Sequence, residues 1–189
     1  MLIGVTGNIG SGKSTFCKFL RLKGFKVING DELAKSFLKK GHEVYDKVVK
    51  TFGEEILNGE GEIDKKKLGN LVFNNKEKLE ELTAIIHPFV LETIEKLKKK
   101  KETIFFEAAV IVEYGWQEIF DAIVTVYAYR GQRLLRAAKK FGLKNAILRD
   151  RMQLPYAVKF KYTDYLICNT KNLLHLKEQS ERLIEQVTE

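Results

Sequence analysis

Nine consecutive residues, Gly7, Asn8, Ile9, Gly10, Ser11, Gly12, Lys13, Ser14 and Thr15, fit the pattern G-x-x-x-x-G-K-[ST]. Their types suit one chemistry. Glycines let the backbone turn tightly and aim N–H groups at phosphate oxygens. A helix opening at Lys13 adds the positive end of its dipole. The Lys13 ammonium can reach β- and γ-phosphates, and Ser14 offers a hydroxyl to Mg²⁺. The pattern points to a bound nucleoside triphosphate but does not say what is done with it. The bland alternative is a glycine-rich turn before a helix.

A second chemical group follows at Asn29-Gly30-Asp31, after the apolar pair Val27-Ile28. In a parallel sheet the carboxyl ends of neighbouring strands face one crevice. Asp31 is therefore expected near the γ-phosphate, where a carboxylate orients or deprotonates an attacking hydroxyl. Its bland role is to cap the next helix. Further on, Arg130, Arg133, Arg136, Lys139 and Lys140 cluster around Leu134-Leu135. Such cations neutralise charge on a transferring phosphoryl group, or form a solvated helix face. Arg136 and Lys140 are four apart and share a face. Glu107 ends an apolar run, where it orients water, metal or acceptor, or caps a helix. Asn169 follows another run and either contacts a nucleobase or caps a turn. His87, before Pro88, reads as structural, and His42 and His175 read as exposed.

Five short apolar runs, 2–6, 25–28, 103–106, 122–127 and 165–168, are expected to be buried strands. Helical patterns separate them: 13–22; 31–40 with Gly41 as its stop; a stripe through Val44, Val48, Val49 and Phe52; 76–101, kinked or broken at Pro88; and a last helix from Leu173 to Val187. The lysine run 98–101 suits the C-terminal end of its helix. Strands alternating with helices predict an α/β fold with a parallel sheet covered on both faces. The helical stretch 32–101 is too long for a simple crossover and reads as an insertion. A second helical region, 130–160, interrupts the last crossover. The core is then 1–31, 102–129 and 161–189 of one domain.

The 189 residues and 44% hydrophobic content exclude global disorder and low-complexity chains. Lys+Arg total 33 against 25 Asp+Glu, a net +8, which suggests an anionic partner. Cys17 and Cys168 are too few for a disulfide framework, have no metal-ligand spacing, and are expected to be buried and inert. Without a leader-like start or a membrane-length apolar run, the expected location is the cytoplasm. A GTPase reading lacks its [NT]KxD motif, since Asn172 is followed by Leu173.

The segment Val5-Thr6-Gly7-Asn8-Ile9-Gly10-Ser11-Gly12-Lys13-Ser14-Thr15, followed by Val27-Ile28-Asn29-Gly30-Asp31-Glu32-Leu33-Ala34, resembles the opening of the dephospho-CoA kinase family. The resemblance continues in order through Phe52-Gly53, Gly61 to Lys65, Ile86-His87-Pro88, Phe105-Phe106-Glu107, Phe120-Asp121, Arg149 with Gln153, and Thr163-Asp164-Tyr165 with Asn169. It implies a P-loop kinase core with a five-stranded parallel sheet, flanking helices, a helical acceptor-binding insertion and a helical lid. The implied reaction moves the γ-phosphate of ATP to the ribose 3′-hydroxyl of dephospho-CoA with Mg²⁺, the last step of CoA biosynthesis. The implied catalytic residues are Asp31, Lys13 and Arg149. The loop residues Gly7, Gly10, Ser11, Gly12, Lys13, Ser14 and Thr15 bind ATP, with Arg136, Lys140 and Asn169, and Ser14 holds the metal. Asn8, Asn29, Lys65 and Lys140 depart from the family pattern. Asn8 is tolerable there if its φ is negative. The expected partners are dephospho-CoA and ATP, not nucleic acid or membrane, with a monomer as the starting expectation. The other readings are a nucleoside monophosphate kinase, a nucleic-acid kinase and a non-enzymatic P-loop switch.

Overall fold

A computed structural model describes residues 1–73 and 75–188. The chain divides into two compact units, Met1–Asn29 with Leu97–Glu189, and Gly30–Lys96.

The first unit is built on five strands, β1 (Leu2–Thr6), β2 (Lys26–Asn29), β3 (Ile104–Glu107), β4 (Ala122–Tyr127) and β5 (Tyr165–Cys168). They form a wholly parallel sheet in the order β2-β3-β1-β4-β5. The central strand β1 thus lies between chain segments that diverge to either side, the place where α/β sheets open a crevice at their carboxyl ends. Strands two and three are each shifted one residue from the apolar runs. The shift brings Asn29 and Glu107 into the sheet, paired with one another in register. Polar residues can end a strand there because each satisfies the other, a fact that hydrophobicity does not carry.

Helix α1 (Lys13–Leu22) covers one face of the sheet, as its spacing predicts. Its Phe16, Cys17 and Leu20 pack with Ile3, Val5, Phe105, Val124 and Val126. Leu176, Leu183 and Val187 of the last helix, Leu173–Thr188, join the same layer. Each large apolar side chain buried here contributes about 2 kcal/mol. On the opposite face Gly4 lets Ile123, Ile111 and Phe120 close over β1, since a Cβ there would come within 2.7 Å of Ile123. Phe105 and Phe106 are wholly buried core residues. Burial pushes the Cys17 thiol pKa up, so Cys17 is the inert thiol expected. Cys168 is only half-buried, a departure from the expectation.

In the second unit α2 (Gly30–Ser36) is shorter than the expected 31–40. The Ser36 hydroxyl donates to the Leu33 carbonyl at 2.6 Å, competing with the helix ladder. The chain then turns so that Phe37 packs on His42 and Phe89. His42 is not merely exposed. Its Nδ1 accepts from Val44 N at 3.1 Å and caps α3 (Glu43–Phe52). Asp64 caps α4 (Lys65–Phe73) by accepting from Lys66 N and Lys67 N, and those N–H groups hold its carboxyl below its usual pKa. Helix α5 (Lys76–Lys98) runs through Pro88 without a break and ends before the lysine run does.

Back in the first unit, α6 (Arg130–Phe141), α7 (Leu143–Arg151) and α8 (Tyr156–Lys159) make up the helical region between β4 and β5, and α9 is Leu173–Thr188. Among the described residues no helix is long and apolar enough to cross a membrane.

Candidate active site

The glycine loop leaves β1 and enters α1 as the motif requires. Gly12, at φ 97°, stands at the helix N-cap with no side chain capping it, and the first turn carries no acid. An anion is the natural complement of such a helix start. Gly10 and Gly12 are required by space as well as by conformation. A Cβ on Gly10 would lie 2.0 Å from the Arg133 carbonyl oxygen, and one on Gly12 would lie 2.1 Å from Asn169 Nδ2. Asn8 is tolerated because among the described residues only glycines have positive φ.

At the C-terminal side of the loop, Ser14 Oγ donates to Glu107 Oε1 at 2.8 Å, and Asn29 Nδ2 donates to Glu107 Oε2 at 3.2 Å. Glu107 is only 4% exposed. The ends of β2 and β3 and the first turn of α1 thus meet at one carboxylate. The amide at position 29 has a physical consequence. It donates to Glu107, where an aspartate would set a second negative charge against it. Lys13 Nζ donates to the Gly7 carbonyl at 2.7 Å, so the ammonium lies folded over the loop.

On its other side the loop is held by the region after β4. Asn8 N donates to the Tyr156 hydroxyl at 3.1 Å, Asn8 Nδ2 to the Leu154 carbonyl at 3.1 Å, and Ile9 N to Gln153 Oε1 at 2.7 Å. Arg133, 4% exposed, donates to the Ile9 carbonyl at 3.3 Å and pairs with Asp150 at 2.6 Å. Arg130 takes the other Asp150 oxygen at 2.8 Å. Burial alone would raise the Asp150 pKa. The hydrogen bonds from Arg133 and Arg130 outweigh it and hold the carboxyl below its usual value.

The other expected residues are placed as follows. Asn169 Nδ2 donates to the Ser11 carbonyl at 2.8 Å, so this side chain anchors the loop, a role outside both sequence readings. Arg136 donates to the Asn169 carbonyl at 3.2 Å, while its other terminal nitrogen and the Arg133 Nε are buried without a hydrogen-bond partner among the described residues. Arg149 and Lys140 both lie over the Phe141 ring, at 4.6 and 5.2 Å. Asp31 is the second residue of α2, two past Asn29, inside the first turn rather than at the cap.

Sequence reasoning named Arg133 only as one member of a cationic cluster and did not name Asp150, Tyr156 or the Glu113–Lys159 pair. One signal was available. Asp150 is the sole acid between residues 130 and 160, among nine lysines and arginines.

Hard oxygen donors suit Mg²⁺, and the Ser14 hydroxyl with the Glu107 carboxylate is such a set. Among the described residues there is no cluster of three His, Cys, Asp or Glu that could hold a metal. Mg²⁺ needs none, because it keeps waters and phosphate oxygens as ligands and takes one or two from protein. The buried Arg136 nitrogen without a hydrogen-bond partner among the described residues fits a phosphate chain in the same way.

Comparison with known proteins agrees with this geometry. The sequence model of a family described as dephospho-CoA kinase matches residues 1–175. A dephospho-CoA kinase of Aquifex aeolicus is 40% identical over 190 residues, covering 98% of this chain and 97% of that one. One of Fusobacterium nucleatum is 38% identical, covering 99% and 98%. Among solved structures, a dephospho-CoA kinase from Campylobacter jejuni superposes with a TM-score of 0.73 at 29% identity, over 98% of this chain and 96% of that one. A shikimate kinase from Acinetobacter baumannii, at 12% identity and a TM-score of 0.59 over 99% and 92%, shares the fold alone.

Proposed function

The chain belongs to the dephospho-CoA kinase family, and from that premise we propose how its own residues carry the reaction. The enzyme phosphorylates the ribose 3′-hydroxyl of dephospho-CoA with ATP, giving CoA and ADP. The observation that carries the site reading is the Ser14–Glu107–Asn29 hydrogen-bonded group beside an uncapped helix start.

In this reading the loop from Gly7 to Thr15 cradles the ATP phosphates, with Gly10, Ser11 and Gly12 bringing backbone close to them. Lys13 swings from the Gly7 carbonyl to the β- and γ-phosphates and stabilises the charge that moves between them. Ser14 and Glu107 would hold Mg²⁺, which when bound neutralises phosphate charge. Arg136 and Lys140 of α6, with Arg149 of α7, supply positive charge to the triphosphate. Asp31 accepts the proton of the 3′-hydroxyl as its oxygen bonds to the γ-phosphorus. The bond from that phosphorus to the β,γ-bridging oxygen breaks, and ADP leaves.

The test is acceptor-dependent ADP release from Mg-ATP, comparing dephospho-CoA with AMP, CMP and dTMP in wild type and Asp31→Asn. Stimulation is expected with dephospho-CoA alone, and Asp31→Asn should lower kcat by at least about 100-fold while ATP still binds. Near-wild-type turnover in that variant would remove Asp31 from the chemistry.

A further inference from the structure

The loop's first residues are fastened to a segment that the reaction itself does not use. Tyr156 opens the single-turn helix α8, and its hydroxyl is satisfied at both ends. It accepts from Asn8 N at 3.1 Å and donates to the Val126 carbonyl at 2.8 Å. Gln153 accepts from Ile9 N, and the Leu154 carbonyl accepts from the Asn8 side chain. The segment is itself bolted down three residues later. The Lys159 side chain, wholly buried, donates to both Glu113 oxygens at 2.6 and 2.7 Å and to the Ala109 carbonyl at 2.8 Å. Glu113 also accepts from Leu154 N at 3.0 Å. Thr6, just before the loop, donates to the same Ala109 carbonyl. The connections close into a ring from the loop through Tyr156, Lys159, Glu113 and Ala109 back to Thr6.

We propose that residues 153–159 form a brace that presets the phosphate loop for ATP, with Tyr156 and Gln153 as its positioning residues and the Lys159–Glu113 pair as its anchor. A buried ion pair with every ammonium proton directed at an acceptor is costly to open, so the anchor holds the segment in one place. The segment then satisfies Asn8 N and Ile9 N from outside the loop. Both groups are held without ligand, and the curvature that aims the later N–H groups at phosphate exists before ATP arrives. A loop that must be ordered by its ligand binds more weakly, because ordering is then charged to binding. Neither residue touches the acceptor in this account. Their loss therefore falls on ATP and not on dephospho-CoA.

The inference rests on ATP binding at this loop, and the experiment separates the two. Tyr156→Phe keeps the ring, which stacks on Phe160 at 5.4 Å, and removes only the hydroxyl. In the unliganded protein, amide exchange read by NMR should accelerate at Asn8 by at least about fivefold, the worth of one hydrogen bond, while Val5 and Val124 in the sheet do not change. In steady-state kinetics KM for ATP should rise about fivefold, with kcat within twofold and KM for dephospho-CoA unchanged. Gln153→Leu is the second variant and should produce the same split with faster exchange at Ile9. Unchanged exchange at Asn8 and Ile9 would overturn the brace. So would equal rises in both KM values, which mark general loosening. If exchange accelerates as expected but wild type fails to bind ATP, the brace stands as a loop-ordering device and the nucleotide reading falls.

Discussion

At its start the phosphate loop directs its backbone N–H groups into its own chain, Asn8 to Tyr156 and Ile9 to Gln153. Further on, at Gly12 to Ser14, the helix start has no capping side chain, and the Ser14 hydroxyl donates to Glu107. One loop therefore has a closed end and an open end. The closed end is surrounded by groups whose partners are protein, including the Arg133–Asp150 pair. At the open end, oxygens and an ammonium are held so that they can exchange one partner for another. A loop polar throughout would be poorly shaped without ligand, and one satisfied throughout would have nothing to offer a phosphate.

Substitutions at the two ends should separate cleanly. At the open end, Lys13→Met removes the charge proposed to follow the transferring phosphoryl group. It should lower kcat/KM by about 100- to 1,000-fold with little change in thermal stability. A loss of stability with activity intact would reverse the assignment of the two ends. Glu107→Gln keeps the shape of the acceptor and removes its charge. The Mg²⁺ concentration giving half-maximal rate should rise about tenfold or more, and an unaltered Mg²⁺ dependence would take Glu107 out of the metal site.

At the closed end the expected effects are on folding. Asp150→Asn leaves Arg133 buried opposite a neutral amide and should destabilise the protein by about 2–3 kcal/mol in chemical denaturation. Its pH signature follows from direction. The folded Asp150 carboxyl titrates below its ordinary value of 3.8. Its stabilisation is therefore complete above the usual carboxylate range and is lost as pH falls through the folded value. The stability gap between wild type and Asp150→Asn should stay constant from neutral pH to about 5 and then close on acidification. A gap that widens in acid would mean that Asp150 is not the acceptor of the two arginines.

How far the sequence could be read follows the same division. The strand 2–6, the helix 13–22 and the glycines between them were legible because each obeys a local rule: an apolar run, a 3.6-residue stripe, and φ values that only glycine adopts readily. Asp31 was legible as a candidate because a residue just past a parallel strand is expected near the ligand crevice. The last residues of β2 and β3 were not. Asn29 and Glu107 interrupt the apolar pattern, and their pairing across the sheet, between strands far apart in the chain, is not written in either run. The end of α2 was lost for a similar reason, since the Phe37 contacts with His42 and Phe89 outweigh helix propensity over residues 37–40.

Among the cations after β4, composition marked a cluster and could not rank its members. Arg133 is buried against Asp150 and the loop, while Arg149 and Lys140 lie over Phe141. The ranking depends on which helix face meets the loop, and helical spacing alone gives a face no neighbour. By itself, then, the amino-acid order determined the phosphate-binding motif, the alternation that makes a parallel sheet, and the kinase resemblance. Each is carried by residues near one another in the chain, where bonding geometry limits the choices. The tertiary structure decided which polar groups are satisfied by protein and which are left for ligand. That property belongs to pairs such as Asn8 with Tyr156 and Ser14 with Glu107, far apart in the chain, which find each other only once the sheet has brought them together.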